Sequence, residues 1–573
     1  MNSFFKNNIG LLLCIVSLIL LCLLRMPLNL SVVCANDNQG FAFTFGQGFL
    51  LWKELACGRG LLYVLTYAGI LKIFGFNTIA IIAVHFLETL VLVLIGTLIY
   101  LIIKNILKSD FFSGLSVLFW VIIISTPIGL SDLVVEIRSH YNLNEENLCV
   151  LFSLCSILFL TLGSYFNLEQ SSITTTKEKL SSVLAGIFAV CSLMSKANGA
   201  ILLIAIVLWF LQLFLFRKHN FKVLQSRIIC FLLSVIFTLT LFNIVLYSLQ
   251  GDLFSTWKDY FFLGRYTGNH LISLKPLLHS VLMFMTRYTF SVSNFIFFLL
   301  ALLLFTWGLI KGCLAKHEIF WSLIGIWGLG NACVIIAPGE YQPYYYQLIW
   351  PSMIIIFILG LHKILSYLKK TNNKLVIYAI AILVFIFFIH RIIVAIPAHY
   401  KLFKEFNKES VFNQLQSFQD PVLPYDFKSV DREGVCKAAD LINILLPSKN
   451  STFYVFNFNG KGRTGFSPLS YIYAKRYPPT TVDAGLLQVP TIIESKLKVL
   501  RTDLIKRPPD MLIISKNIYF EPWQRKLLTP FLGWFSDFVS DNYVFERVFN
   551  FTHDIENKTE TFLIYKRLSY KPM

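Results

Sequence analysis

Long apolar runs recur through the first 396 residues, near residues 10–28, 77–103, 111–130, 147–165, 180–195, 198–216, 228–249, 291–310, 319–337, 348–364 and 375–396. Each of these eleven runs is close to the roughly 20 residues a helix needs to cross the hydrocarbon of a bilayer. The composition agrees, because 14% of the residues are charged, against about 25% in a soluble domain. The mean hydropathy is +0.65. The sequence reads as a polytopic α-helical membrane protein. Its first run follows Lys6 and has no small-x-small cleavage site before the next polar segment. It therefore reads as an uncleaved helix rather than a signal peptide.

The net charge of +18 comes from 50 Lys and Arg against 32 Asp and Glu. In a membrane protein such an excess is read first as cytoplasmic loop charge, and it does not point to nucleic acid. With the N-terminus inside, alternate loops carry Lys104 and Lys108, Lys177 and Lys179, then Arg217, Lys218, Lys222 and Arg227, then Lys311 and Lys316, and last Lys363, Lys369, Lys370 and Lys374. The opposite loop at 338–347 has no Lys or Arg. An odd number of crossings places everything after residue 396 outside. That parity turns on the short hairpin Ser195 to Asn198, since losing one flanking span would invert the later half. Residues 276–290 are too short and polar to span, and read as an interfacial helix. Cys14, Cys22, Cys149, Cys155, Cys191 and Cys230 lie in apolar runs, where a free Cys is a small hydrophobe. Cys34 and Cys57 share one polar loop, and no Cys/His cluster has zinc spacing.

The composition shifts at the boundary between residues 1–396 and 397–573, where Pro, Asp, Glu, Lys and Asn return. SKNSTFYVFNFNG and DMLIISKN read as short strands ended by polar turns. KVLRTDLIKR, which stops before Pro508 and Pro509, has helical character. These features predict a small extramembrane α/β domain.

Acids mostly avoid the centres of the spans, with Glu88 the exception, and collect in the outer loops. The first such loop holds Asp37, Lys53, Glu54 and Arg59; the second holds Asp132, Glu136, Arg138, His140, Glu145 and Glu146; the fourth holds Trp257, Arg265, His270 and Lys275. Each has a plain structural reading beside a catalytic one. Asp37 suits a helix cap, and Glu145 and Glu146 suit the positive end of a helix dipole. Arg265 and Lys275 suit acidic headgroups, and Glu88 suits a paired structural acid, since an unpaired one is costly in a membrane. Tyr344 and Tyr345, in GEYQPYYYQLIWPSM, fit an interfacial aromatic belt or the edge of a pocket. The distribution favours chemistry at the outer membrane surface over passage through the bilayer.

The order of elements resembles the membrane glycosyltransferases of the GT-C superfamily, in the branch of the dolichyl-phosphate-mannose protein mannosyltransferases and the bacterial aminoarabinose transferase of lipid A. DNQG at Asp37–Gly40 follows the first span. WKELACGRGLLY at Trp52–Tyr63 puts Glu54 and Arg59 in the places of the family's acid and base, with Gly60-Leu61 for the usual prolines and Cys57 where an acid is expected. NLNEENL resembles the family's N-x-E, matching Glu146 and leaving Glu145 as the alternative. LMSKANG is similar to its short basic turn, and YYYQLIWPSM to its late H-Y-x-x-x-x-x-P element with Tyr344 in the His place. In the tail, FYVFNFNGKGRTGFSPLSYIYAKRYPPTT and IKRPPDMLII resemble the outer-domain strands.

The resemblance implies an enzyme that moves a sugar from a polyprenyl-phosphate carrier to an acceptor on the outer face. A base must take the acceptor's proton and cations must stabilise the departing phosphate. Asp37 is the leading base, Glu146 orients acceptor or sugar, and Glu54 and Glu145 are alternatives. Arg59, Arg265 and Lys275 are expected at the phosphate, with His270, Tyr344 and Tyr345 at the substrate. One carboxylate acting as base for an acceptor that attacks from the face opposite the leaving phosphate implies inversion. The reaction requires no cofactor, though a divalent ion held by carboxylates beside phosphate is compatible with it. The acceptor class spans lipid A, another glycolipid, a polysaccharide or protein, and the short loops point to a bacterial inner membrane. A lipid-linked oligosaccharide flippase is the rival reading, but it should hold cations inside its bundle. A polymerase or ligase acting on lipid-linked glycans is the nearer enzymatic rival.

Overall fold

The computed structural model describes residues 2–29, 60–74, 78–125, 145–163, 175–216, 221–250, 301–307, 319–336, 347–408, 432–448, 450–456, 493–516, 522–553 and 558–568, with single helical positions at 253, 257, 261, 299 and 310. Among the described residues the apolar part contains α1 (Asn2–Asn29), α2 (Leu61–Phe74), α3 (Thr78–Leu107), α4 (Asp110–Ser125), α5 (Glu145–Leu162), α6 (Thr176–Ser195), α7 (Ala200–Phe216), α8 (Phe221–Gln250), α9 (Ile319–Ile336), α10 (Trp350–Lys370) and α11 (Lys374–Lys408). Among the described residues eight helices are long and apolar enough to cross a membrane, and α4 is a shorter apolar one. The expected run at 291–310 is described only at 299, 301–307 and 310. The hairpin on which the topology turns is present, with α6 and α7 joined by a single helical turn at Ala197–Gly199.

One element departs from the sequence reading. The stretch expected to be the end of a polar outer loop becomes helix α2 at Leu61, with Leu61 and Tyr63 buried. At 14 residues it reaches about 21 Å, short of the roughly 30 Å of hydrocarbon. This length explains why no span was read there.

Inside a bilayer, helices gain nothing hydrophobic by leaving lipid for one another, so close backbone approach and polar contacts hold them together. Gly10 and Gly114 do this between α1 and α4: a Cβ on Gly10 would overlap the backbone of Asp110, and one on Gly114 the backbone of Gly10. Between α5 and α6, Ser153 and Ser192 share a hydrogen bond of 2.8 Å and Ser156 donates to the Ala185 carbonyl at 2.8 Å. Trp120 is fully buried and donates its indole N–H to the Leu92 carbonyl at 3.1 Å. By contrast, α11 leaves Ile382, Phe385, Ile389 and Ile393 exposed along one side, a surface suited to lipid.

The C-terminal part contains α12 (Arg432–Leu445), β1 (Phe453–Phe456), α13 (Ile493–Lys506), β2 (Met511–Ser515), α14 (Pro522–Asn542), β3 (Tyr543–His553) and β4 (Lys558–Arg567). The sheet order is β1-β2-β4-β3, with β1 parallel to β2 and the other two pairings antiparallel. Alternation sends Phe453, Val455, Met511 and Ile513 to one face, under Ala438 and Ile442 of α12. Tyr454, Phe456 and Leu512 go to the other, under Leu500 and Leu504 of α13 and Phe531 and Phe535 of α14. The strands expected around FYVF and DMLII and the helix before Pro508 are therefore found, joined by a β3–β4 hairpin. Asp510 closes the start of β2 by accepting the Thr452 N–H at 2.9 Å. Tyr543 donates to the Pro509 carbonyl at 2.7 Å, and burial raises its hydroxyl pKa.

Candidate functional site

The first turn of α5 is where chemistry-bearing side chains converge. Both acids of the turn, Glu145 and Glu146, are almost fully buried, although a carboxylate is among the groups least often buried without a partner. They begin the helix rather than precede it, so its unpaired N–H groups and dipole favour their negative charge. Glu146 pairs with the Lys196 ammonium, which also lies 3.9 Å from Glu145 Oε1. Glu145 accepts the Gly60 backbone N–H through Oε2 at 3.2 Å.

Local backbone requirements set this arrangement. Lys196 follows the last residue of α6 in an extended conformation, φ −159° and ψ 144°, with its N–H on the Ser192 carbonyl at 3.2 Å. The turn then closes tightly, because a Cβ on Gly199 would run into the backbone of Ser192 and Leu193. Gly60 has the same constraint, since a Cβ there would overlap the Ser195 carbonyl. The start of α2 and the α6–α7 hairpin thus meet with no side chain between them, beside Glu145.

One layer into the bundle lies a second polar group. Arg25 of α1 and Glu88 of α3 form an ion pair at 3.0 Å with side chains 2% and 0% exposed. The paired structural role expected for Glu88 is observed, and its partner is the arginine at the end of the first span. The expectation that cations cluster outside the bundle needs correcting: Arg25, Arg227 and Arg391 are buried. The first two stand on acids, Arg25 on Glu88 and Arg227 on Glu178 at 2.5 Å, which is how a buried charge is accommodated.

Of the residues expected at the site, the structure brings Glu145 and Glu146 together. Asp37, Glu54, Arg59, Arg265, His270, Lys275, Tyr344 and Tyr345 lie outside the described residues, as do Cys34 and Cys57. Near the start of the fourth loop, Trp257 donates to Asn243 Oδ1 at 2.8 Å. Lys196 is the residue that sequence reasoning left without a role. Its signal was available: a lone lysine in a hairpin assigned to the outside runs against the positive-inside bias. Among the described residues no group of three His, Cys, Asp or Glu is placed to hold a metal ion. Around Glu145 and Glu146 the cation in place is the Lys196 ammonium.

No protein-family model and no curated protein matches the sequence. Solved structures do. ArnT from Cupriavidus metallidurans bound to undecaprenyl phosphate is 12% identical, with 97% of this chain and 98% of that one aligned at a TM-score of 0.51. Its apo state gives 11% identity, 96% and 97% coverage, and 0.51. The archaeal oligosaccharyltransferase AglB from Archaeoglobus fulgidus, in complex with an inhibitory peptide and a dolichol-phosphate, is 12% identical over 89% of this chain and 70% of its own, at 0.50. The chain shares the fold of these solved structures.

Proposed function

We propose that the protein transfers a sugar from a polyprenyl-phosphate donor to a cell-envelope acceptor at the outer face of a bacterial inner membrane. The observation that carries this reading is the pair of buried carboxylates on the first turn of α5, sharing one lysine. Two acids beside one ammonium leave a net negative charge where a hydroxyl nucleophile must lose a proton and a sugar must be oriented. Two of the buried cations, Arg25 and Arg227, stand on Glu88 and Glu178 and are not free for cargo.

In this mechanism Asp37 takes the proton from the acceptor hydroxyl as that oxygen attacks the anomeric carbon. The C–O bond to the carrier breaks on the opposite side, and the polyprenyl phosphate leaves with the bonding electrons, inverting the centre. Arg59, Arg265 and Lys275 receive the phosphate charge through charge-assisted hydrogen bonds. Lys196 holds Glu146 in place. His270, Tyr344 and Tyr345 line the substrate. The topology that serves it is eleven spans with the N-terminus inside and residues 397–573 outside. Cysteines near positions 370 and 480 should then label from opposite sides, and labelling from one side contradicts it.

The chemical test is D37N, assayed for transfer of labelled sugar by purified protein in lipid. Loss of a positioned base costs about 10² to 10⁴ in rate. A helix cap accepts Asn as readily as Asp, so near-normal turnover would remove Asp37 from the reaction and turn the search to Glu54, Glu145 and Glu146.

A further inference from the structure

Three successive side chains of α5 are tied to three different elements. Glu145 takes the N–H at the start of α2, Glu146 takes the lysine of the α6–α7 hairpin, and Asn147 donates through Nδ2 to Glu88 Oε1 of α3 at 3.2 Å. Successive residues on a helix point about 100° apart, so these ties fix the rotation of the turn about its axis. Glu88 carries the third tie onward. Its other oxygen meets Arg25 Nη2 at 3.0 Å, and Arg25 Nε donates to Thr89 Oγ1 at 2.8 Å.

We infer that Arg25, Glu88 and Asn147 form a positioning bridge that holds the acidic turn of α5 in register with the outer end of α1. This rests on the glycosyl-transfer reading of the site. Arg25 is four residues from the end of α1, and Asp37 follows that end by eight residues in the sequence. The bridge therefore connects the helix that precedes the proposed base in the chain with the turn that presents Glu145 and Glu146. A buried ion pair is rarely better for stability than apolar groups of similar size, so packing gives no reason for one here. Fixing geometry does, because a displacement of about 1 Å at a reacting group can cost a hundredfold in rate.

The test replaces the bridge by apolar groups: Arg25→Met, Glu88→Leu and Asn147→Leu together. Thr89 loses Arg25 but keeps its own hydrogen bond to the His85 carbonyl at 3.2 Å. The readout that does not depend on turnover is acylation of Lys196 by a water-soluble amine reagent, quantified by mass spectrometry against the exposed Lys370. In the wild type Lys196 is held by Glu146 with its side chain 13% exposed, and it should react slowly. The triple variant should keep its thermal midpoint while Lys196 reacts about tenfold faster, equivalent to roughly 1.4 kcal/mol of lost restraint. Arg25→Lys, which keeps the charge, should react at nearly the wild-type rate. Unchanged Lys196 reactivity in the folded triple variant overturns the bridge. If the triple variant does not fold, Asn147→Ala leaves the Arg25–Glu88 pair intact and decides the question the same way. Absence of sugar transfer by the wild type would defeat the functional reading alone, since the labelling result stands without it.

Discussion

At one end of the bundle Arg227 stands on Glu178 at 2.5 Å and Lys104 on Asp110 at 2.8 Å. At the other, Lys196 serves both Glu145 and Glu146. The first end also satisfies its backbone. Thr175 and Glu178 form a reciprocal capping box at the start of α6, and Arg227 Nη1 donates to the Gly163 carbonyl just past the end of α5, at 2.9 Å. Matched charges and capped helix ends are what a bundle needs to hold its shape at a membrane surface. Two buried carboxylates on one ammonium exceed that need. In the proposed reading the function lies at the second end, where two acids share one ammonium beside the tight approach of Gly60 and Gly199.

The comparison breaks if the two cations behave alike. Lys196→Met leaves Glu145 and Glu146 facing each other with no shared counter-charge. It should lower turnover about a hundredfold or more, as removal of one positioned charge does in other active sites, and should destabilise the fold as well. Measuring turnover per folded molecule separates the two effects. Arg227→Met should destabilise the fold by about 1 kcal/mol or more through the lost hydrogen bonds of Arg227, while Glu178 keeps its bond from the Thr175 N–H. Turnover per folded molecule should stay at the wild-type value. A loss of turnover in the folded Arg227 variant, or none in the Lys196 variant, would erase the distinction between the two ends.

Much of the architecture was legible because lipid imposes a simple code. The apolar runs at 77–103, 147–165, 180–195 and 198–216 correspond to α3, α5, α6 and α7, since a span must satisfy its own backbone and carry little charge. The strands at FYVF and MLIIS were legible from β-branched and aromatic residues bounded by polar turns. Helix α2 was not, because LLYVLTYAGILKIF is too short to read as a span and follows a polar loop directly. At the site, the type of residue was legible and the pairing was not. Glu145 and Glu146 stood out as adjacent acids beside a span, and Glu88 as an intramembrane acid that had to be paired. Their partners Lys196 and Arg25 are 50 and 63 positions away in the chain, and neither a hydropathy period nor a motif encodes which distant helix meets which. Gly60 and Glu145, 85 positions apart, show the same limit for a backbone donor.

The most direct measurement of the central claim compares cell-envelope glycans and glycolipids by mass spectrometry in three strains: one with the wild-type protein, one without it, and one with E146Q expressed at wild-type level. The account predicts a species one sugar lighter in the strain without the protein, and the same lighter species accumulating in E146Q, because misplacing a substrate by about 1 Å can cost a hundredfold in rate while Gln preserves the side chain's shape. Identical envelope profiles in all three strains would contradict it.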